Sequence, residues 1–189
     1  MDVVLASGSP RRAELLKQMG VNFRIVVSQV EEGEAHTPSH LWVQELAKAK
    51  ALAVAAQGGG IVLGADTIVV CQNQVLGKPR NTEEAKTMLT FLAGRVHEVM
   101  TGVCVVDNYR NKIYQDCEVT KVYFRKLSAR EINAYVASGE PMDKAGAYGI
   151  QGLGALLAAG IEGCYFNVVG LPLIKTMLLR QAPARLHPL

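Results

Sequence analysis

The sequence holds 189 residues, 49% hydrophobic and 20% charged, with 20 basic against 17 acidic side chains and a formal net charge of +3. This length predicts a single domain over residues 1–189 with a core that needs no staples, and the composition excludes a disordered or collagen-like chain. So mild a charge is too weak to imply duplex nucleic acid, which usually needs a concentrated basic face, while it permits a small anionic ligand.

Cys71, Cys104, Cys117 and Cys164 are dispersed, with no CxxC pair and no clustered histidines. The spacing argues against a zinc centre or a redox dithiol and reads as four reduced thiols in a cytosolic protein. The N-terminus shows no basic leader followed by a long apolar segment, and no run of about 18 apolar residues offers a membrane span. The apolar stretch 61–71 is interrupted by Asp66.

In chain order, residues 3–5 predict a short buried strand and Ser7-Gly8-Ser9 a turn. Ser9 is placed to cap a helix with Pro10 at its first position, Leu15, Leu16 and Met19 on its apolar face, and Gly20 past its end. Residues 23–27 predict a strand, followed by an acidic loop with Glu31, Glu32 and Glu34. Thr37-Pro38 opens a helix with an apolar stripe through Val43, Leu46, Ala47, Ala53 and Val54, which 57–60 ends. Its Ala-rich second half reads as helix propensity and nothing more. Segments 61–63 and 67–71 are β-branched and read as two strands split by Gly64-Ala65-Asp66.

Asn81 opens a third helix, with Glu84 as its capping-box partner, Ala85, Met88, Leu89 and Leu92 on its face, and Gly94 as its stop. Residues 99–107 and 113–125 predict a strand pair joined by a polar turn at 108–111. Ser128 and Glu131 form another capping box, for a helix through Ile132, Tyr135 and Val136 that Gly139-Glu140-Pro141 breaks. After a Gly-rich region at 146–154, residues 164–169 predict a late strand, 172–179 a last helix, and Arg180 onward a frayed tail. His36, His40, His97 and His187 read as loop or surface residues. The irregular alternation, with a strand pair in the middle, predicts an α/β fold with a mixed sheet.

Several segments carry possible chemistry. Ser7-Gly8-Ser9-Pro10-Arg11-Arg12 runs from a strand through a glycine turn into a helix start, where backbone N–H groups suit an anion. Two arginines at the positive end of a helix dipole call for compensation. A bound polyphosphate supplies it; a solvated pair on an exposed turn is the other reading. Lys50 falls on the apolar stripe of its helix and either snorkels outward or points into a polar cleft.

Asp66, inside an apolar strand pattern, must be paired, metal-bound or protonated; an exposed turn between two shorter strands is the other reading. Lys78-Pro79-Arg80 adds cations. Glu31 and Glu32 offer oxygen ligands to a hard cation such as Mg²⁺, or form a solvated acidic loop. In the segment from Asp143 to Gly152, glycines permit close backbone approach to a ligand, and Gln151 can hydrogen-bond the edge of a base. No Walker A, GxGxxG or G-x-S-x-G pattern is present. Cations together with carboxylates favour phosphoryl chemistry over acyl transfer.

Read together, Leu5-Ala6-Ser7-Gly8-Ser9-Pro10-Arg11-Arg12, Val30-Glu31-Glu32, Gly64-Ala65-Asp66-Thr67, Leu76-Gly77-Lys78-Pro79, the Asp143 to Gly152 segment and Val169-Gly170-Leu171-Pro172 resemble the Maf family of nucleoside triphosphate pyrophosphatases. The blocks follow the family's order across nearly the whole chain. The resemblance implies an elongated, twisted mixed sheet flanked by helices, with two lobes around a cleft, similar to inosine triphosphate pyrophosphatases, and a homodimer. It further implies hydrolysis between the α and β phosphates with a divalent cation, Mg²⁺ or Mn²⁺.

On that resemblance, Asp66 matches the family's proton acceptor, and Ser7, Arg11, Arg12, Glu31, Lys50 and Lys78 match its polar set. Glu31 and Asp66 are the expected metal ligands. Arg11, Thr67 and Gln151 match the specificity positions of the branch that acts on dTTP and UTP. The alternatives are N7-methyl-GTP as substrate, or a non-catalytic binding protein acting in septum formation and division arrest. Neither a membrane nor a nucleic-acid partner is expected.

Overall fold

The computed structural model describes residues 2–31, 33, 39–58 and 60–181. The chain runs β1 (Val3–Leu5), α1 (Pro10–Gln18), β2 (Arg24–Ile25), α2 (Ser39–Ala55), β3 (Ile61–Cys71), β4 (Gln74–Leu76), α3 (Thr82–Leu92), β5 (Val96–Asp107), β6 (Lys112–Phe124), α4 (Ala129–Ala137), β7 (Ala158–Glu162), α5 (Tyr165–Val169) and α6 (Leu173–Gln181). Short 3-10 turns at Glu140–Asp143, Ala145–Ala147 and Gly152–Leu156 fill the stretch between α4 and β7.

The strands hydrogen-bond in the order β2-β1-β3-β5-β6-β7, with β4 on β3. β1 is parallel to β2 and β3, whereas β4 is antiparallel to β3 and β7 to β6. The expected α/β fold with a mixed sheet is therefore present. By internal contacts the chain forms two compact units: Met1–Asp66, Thr101–Glu118 and Gly170–Leu189 in the first, Thr67–Met100 and Val119–Val169 in the second.

In the first unit, α2 lies on the sheet at close range. A Cβ on Gly64 would stand 2.3 Å from the Ala47 carbonyl oxygen and 2.8 Å from the Ala51 Cβ, and one on Gly102 would stand 2.3 Å from the Val43 carbonyl oxygen. Val43, Ala47 and Ala51 are four residues apart, so one row of small or branched side chains faces two bare glycines on neighbouring strands. The core of this unit gathers Val4, Ala47, Ala51, Val54, Val62 and Cys104. Each fully buried valine there contributes about 1.5–3 kcal/mol of apolar transfer.

In the second unit, Leu89, Leu92, Val122, Phe124, Tyr135 and Tyr148 form the core. The Ser128–Glu131 capping box opens α4 as expected. His97 is part of this core rather than a surface residue: it is 2% exposed on β5, its Nε2 lies 2.7 Å from the Tyr148 hydroxyl, and Phe124 packs edge-on at 4.9 Å. Among the described residues its buried Nδ1 has no hydrogen-bond partner. Burial pushes its pKa from 6.5 down to about 4.

Below pH 6.5 the unfolded chain therefore binds a proton that the folded chain refuses, so this stabilisation is whole above that pH and is lost as pH falls toward 4. Urea titrations from pH 7 to 4 should show about 3 kcal/mol of lost stability from this residue, and His97→Gln should flatten the slope in that window.

Four other expectations are corrected. β3 is continuous from Ile61 to Cys71 rather than split at Asp66, because Gly64 serves the approach of α2 and not a turn. Residues 164–169 are not a strand: Tyr165–Val169 is helical, and Asn167 turns inward to donate to the Val99 carbonyl and the Thr120 hydroxyl, each at 2.9 Å. The late strand is β7, an edge strand of sequence AAGIE with too little apolar alternation to announce itself. Ser9 occupies the cap of α1 without a side-chain bond; the Ser7 hydroxyl accepts from the Ser9 N–H instead. Asn81 does cap α3, but the Glu84 carboxylate reaches back to the Arg80 N–H and guanidinium rather than closing a box on Asn81. The Thr37-Pro38 start of α2 and the tail beyond residue 181 lie outside the described residues.

Candidate active site

The first unit holds two polar constellations side by side on parallel strands. β1 pairs with β3 in the register Leu5↔Leu63, and the Ala6 N–H donates to the Leu63 carbonyl at 2.8 Å. The turn beginning at Ser7 thus leaves β1 beside the stretch of β3 that carries Asp66. In that turn, the Ser7 hydroxyl, 8% exposed, accepts from Arg12 Nη1 at 3.0 Å, and Arg12 Nε donates to the Gly170 carbonyl at 2.8 Å. For Arg12, protein oxygens supply the acceptors that a cation at a helix N-terminus calls for. Arg11, beside it on the first turn of α1, is half-buried.

The second constellation is Lys50 on α2 and Asp66 on β3. Lys50 Nζ lies 2.6 Å from Asp66 Oδ1, and each side chain is only 9% exposed. Of the two readings of Lys50, the inward one holds. The stripe position that looked wrong for a cation is the position from which α2, seated close on Gly64, delivers an ammonium to Asp66. An ion pair this buried is costly to desolvate and gains little net stability over an apolar pair. Its chemical value is a carboxylate with a fixed counter-charge. Lys48, off the stripe, pairs with Glu45 at 3.4 Å on the wet face. Glu31 is exposed, and its neighbour Glu32 lies outside the described residues.

The second unit holds Thr67, Lys78 and Gln151. Thr67 follows Asp66 directly and is half-buried; Lys78 is exposed after β4, and Arg80 is bound to Glu84 at 2.9 Å. The Gly146 N–H donates to the Gly77 carbonyl at 3.0 Å, tying the Gly-rich segment to the residue before Lys78. Gly146 has φ +67, and a Cβ there would stand 2.9 Å from a Val69 methyl, so only glycine lets this segment seat on β3. Gln151 is half-buried and extended, between Gly149 and Gly152.

Sequence reading missed two residues around this loop. Tyr135 passed as one more apolar position of α4, and Glu140 as part of a helix stop. No spacing signal marks either one, because besides each other their partners are backbone groups of a loop.

Among the described residues, no group of three or more His, Cys, Asp or Glu side chains is placed to hold a metal ion. The donors present are nonetheless of the right kind for a hard cation. Mg²⁺ in phosphate chemistry commonly takes one or two carboxylates and completes its shell with phosphate oxygens and water, and Asp66 is a buried all-oxygen donor of that sort. Among the described residues, no helix is long and apolar enough to cross a membrane.

A family model described as Maf-like protein matches residues 2–182. A dTTP/UTP pyrophosphatase of Moorella thermoacetica is 56% identical over 175 residues, 92% of this chain and 90% of that protein. A dTTP/UTP pyrophosphatase of Thermoanaerobacter pseudethanolicus is 48% identical over 98% of this chain and its whole length, 100%. Among solved structures, a HAM1 protein from Coxiella burnetii matches with a TM-score of 0.46 and 15% identity over 66% of this chain and 73% of that one.

Proposed function

The chain belongs to the Maf-like protein family, and from that membership we propose that it hydrolyses dTTP and UTP between the α and β phosphates, giving the monophosphate and pyrophosphate. The observation that carries the reading is the buried Lys50–Asp66 pair on the strand beside the Ser7 turn. It is a carboxylate kept in place for proton transfer, next to a helix start suited to an anion.

In this reading Asp66 takes the proton of the attacking water. Lys50 holds the carboxylate in register and balances its charge. Arg11, Arg12 and Lys78 neutralise the triphosphate and the charge that develops on the departing pyrophosphate. Ser7 fixes the Arg12 guanidinium through the 3.0 Å contact. Asp66 and Glu31 are the side chains that would hold Mg²⁺ or Mn²⁺. Such an ion, when bound, offsets phosphate charge and eases ionisation of a water.

Arg11, Thr67 and Gln151 select the base. The Gln151 amide offers one donor and one acceptor, the complement of the imide edge of uracil and thymine. The reading carries with it a cytosolic location and a homodimer; exposed Leu153 and Leu156, at 53% and 67%, support an apolar surface for the second copy.

The test is pyrophosphate release from dTTP, UTP, CTP, GTP and N7-methyl-GTP with Mg²⁺ or Mn²⁺. Turnover concentrated on dTTP and UTP is the expected result. Preference for N7-methyl-GTP overturns the base assignment, and absence of turnover on every nucleotide overturns the enzymatic reading.

A further inference from the structure

The Glu140 carboxylate stands where three donors converge. Its Oε1 accepts from the Tyr135 hydroxyl at 3.0 Å and from the Gly154 N–H at 3.1 Å, and its Oε2 accepts from the Leu153 N–H at 3.0 Å. The Tyr135 hydroxyl in turn accepts from the Gly149 N–H at 3.2 Å. Glu140 and Tyr135 thus grip the backbone at residues 149, 153 and 154, on both sides of Gln151.

The approach is close enough to dictate sequence. A Cβ on Gly152, where φ is +63, would stand 2.8 Å from Glu140 Oε2, and a Cβ on Gly154 would stand 2.7 Å from the Tyr135 hydroxyl oxygen. Three N–H groups of this segment, two of them in the first turn of the 3-10 stretch Gly152–Leu156, are taken by two side chains that themselves bear on no nucleotide in the proposed reaction. Bonds from backbone N–H to a carboxylate are charge-assisted, and several of them together fix a loop rather than merely close it.

We propose that Glu140, acting with Tyr135, is the positioning residue that sets Gln151 for base discrimination. The inference rests on Gln151 reading the base. Glu140 contacts the loop, and the loop carries the amide. In Glu140→Gln one carboxylate oxygen becomes an NH₂ that faces a backbone donor, so one of the two N–H grips is lost while volume is kept. Tyr135→Phe removes the grip on Gly149 and the hydroxyl's bond to Glu140, and keeps the carboxylate that accepts from Leu153 and Gly154.

The experiment compares kcat/KM for UTP with that for CTP and GTP in the full-length chain and in Glu140→Gln, Tyr135→Phe, Gln151→Ala and the Glu140→Gln/Gln151→Ala double variant. Thermal unfolding and amide hydrogen exchange are measured alongside. The UTP preference should fall roughly tenfold in Glu140→Gln, with faster exchange at residues 149, 153 and 154. In the Gln151→Ala background, Glu140→Gln should cost no further preference.

A preference that falls in Gln151→Ala but holds in both Glu140→Gln and Tyr135→Phe overturns the inference and leaves the role of Gln151 intact. Losses that multiply in the double variant also overturn it, since Glu140 then acts by another route. A preference unchanged in Gln151→Ala overturns the base-reading role and the inference with it. If Glu140→Gln does not fold, Tyr135→Phe decides by the same ratio.

Discussion

Asp66→Asn is expected to lower pyrophosphate release from dTTP and UTP by about 10²–10⁴-fold, the range for loss of a positioned general base. The substitution keeps the shape of the side chain and leaves an amide oxygen 2.6 Å from Lys50 in place of a carboxylate oxygen. What disappears is the counter-charge to Lys50 and, on the proposed function, the proton acceptor. A buried lysine without its carboxylate is a poor tenant, and removing one partner of a buried pair costs about 3–5 kcal/mol of fold stability.

Thermal unfolding therefore accompanies the rate measurement. A variant that melts near the parent, binds nucleotide and fails to turn it over isolates the chemistry. A variant with parental turnover removes Asp66 from the reaction. The same protein separates catalysis from any effect on septum formation. An inactive chain that still arrests division would act as a binding protein.

Gly64→Ala should be among the most damaging single methyl additions in the first unit. The added Cβ would meet the Ala47 carbonyl oxygen at 2.3 Å and the Ala51 nitrogen and Cβ at 2.8 Å, contacts with helix backbone that no rotamer can relieve. Helix α2 must move off the sheet, at a cost near the upper end of overpacking penalties, about 3 kcal/mol. Lys50 rides on that helix and Asp66 lies two residues from Gly64, so displacement also opens the ion pair. A misplacement on the ångström scale at a catalytic pair costs about 10²-fold in rate.

Gly160→Ala is the matched control. A Cβ there meets nothing within 4 Å, and its urea midpoint should stay close to the parent's. An unchanged midpoint in Gly64→Ala would show that the close seating of α2 is not needed.

These contacts explain why some features were legible in the sequence and others were not. Capped helices, the strand pair and the suspicion attached to Asp66 follow from local rules: a cap residue three positions before its partner, alternating apolar runs, a charge among β-branched neighbours. The direction of Lys50 does not follow from such rules. Its stripe position fits an outward lysine as well as an inward one, and the choice is made by Gly64 on a different element. Gly64 misled the reading in the other direction, since glycine inside a strand pattern suggests a break when its neighbour across the interface is unknown. The Ala47–Ala51 row held the missing clue, because small residues four apart on a helix match a glycine beneath them.

His97 and Glu140 were illegible for a further reason. A polar residue in a core or against a loop is accounted for by partners far away in sequence, 51 positions for His97 and Tyr148, and 14 for Glu140 and Gly154. Segment 164–169 carries strand-forming residues, yet it is helical, and the partners of its buried Asn167 lie far away in sequence, on Val99 and Thr120.

The bond from Arg12 to the Gly170 carbonyl joins residues 158 positions apart, and this has a consequence during synthesis. The first unit is assembled from separated stretches, the third of which begins at Gly170. On a ribosome that adds roughly 5–20 residues per second, Arg12 waits on the order of ten seconds before its acceptor exists. Until then the guanidinium lacks the Gly170 carbonyl and α1 lacks this tie to the C-terminal segment. A nascent chain stalled before residue 170 would expose β1 and α1 without their final support, and it would be a substrate for holding chaperones rather than an early enzyme.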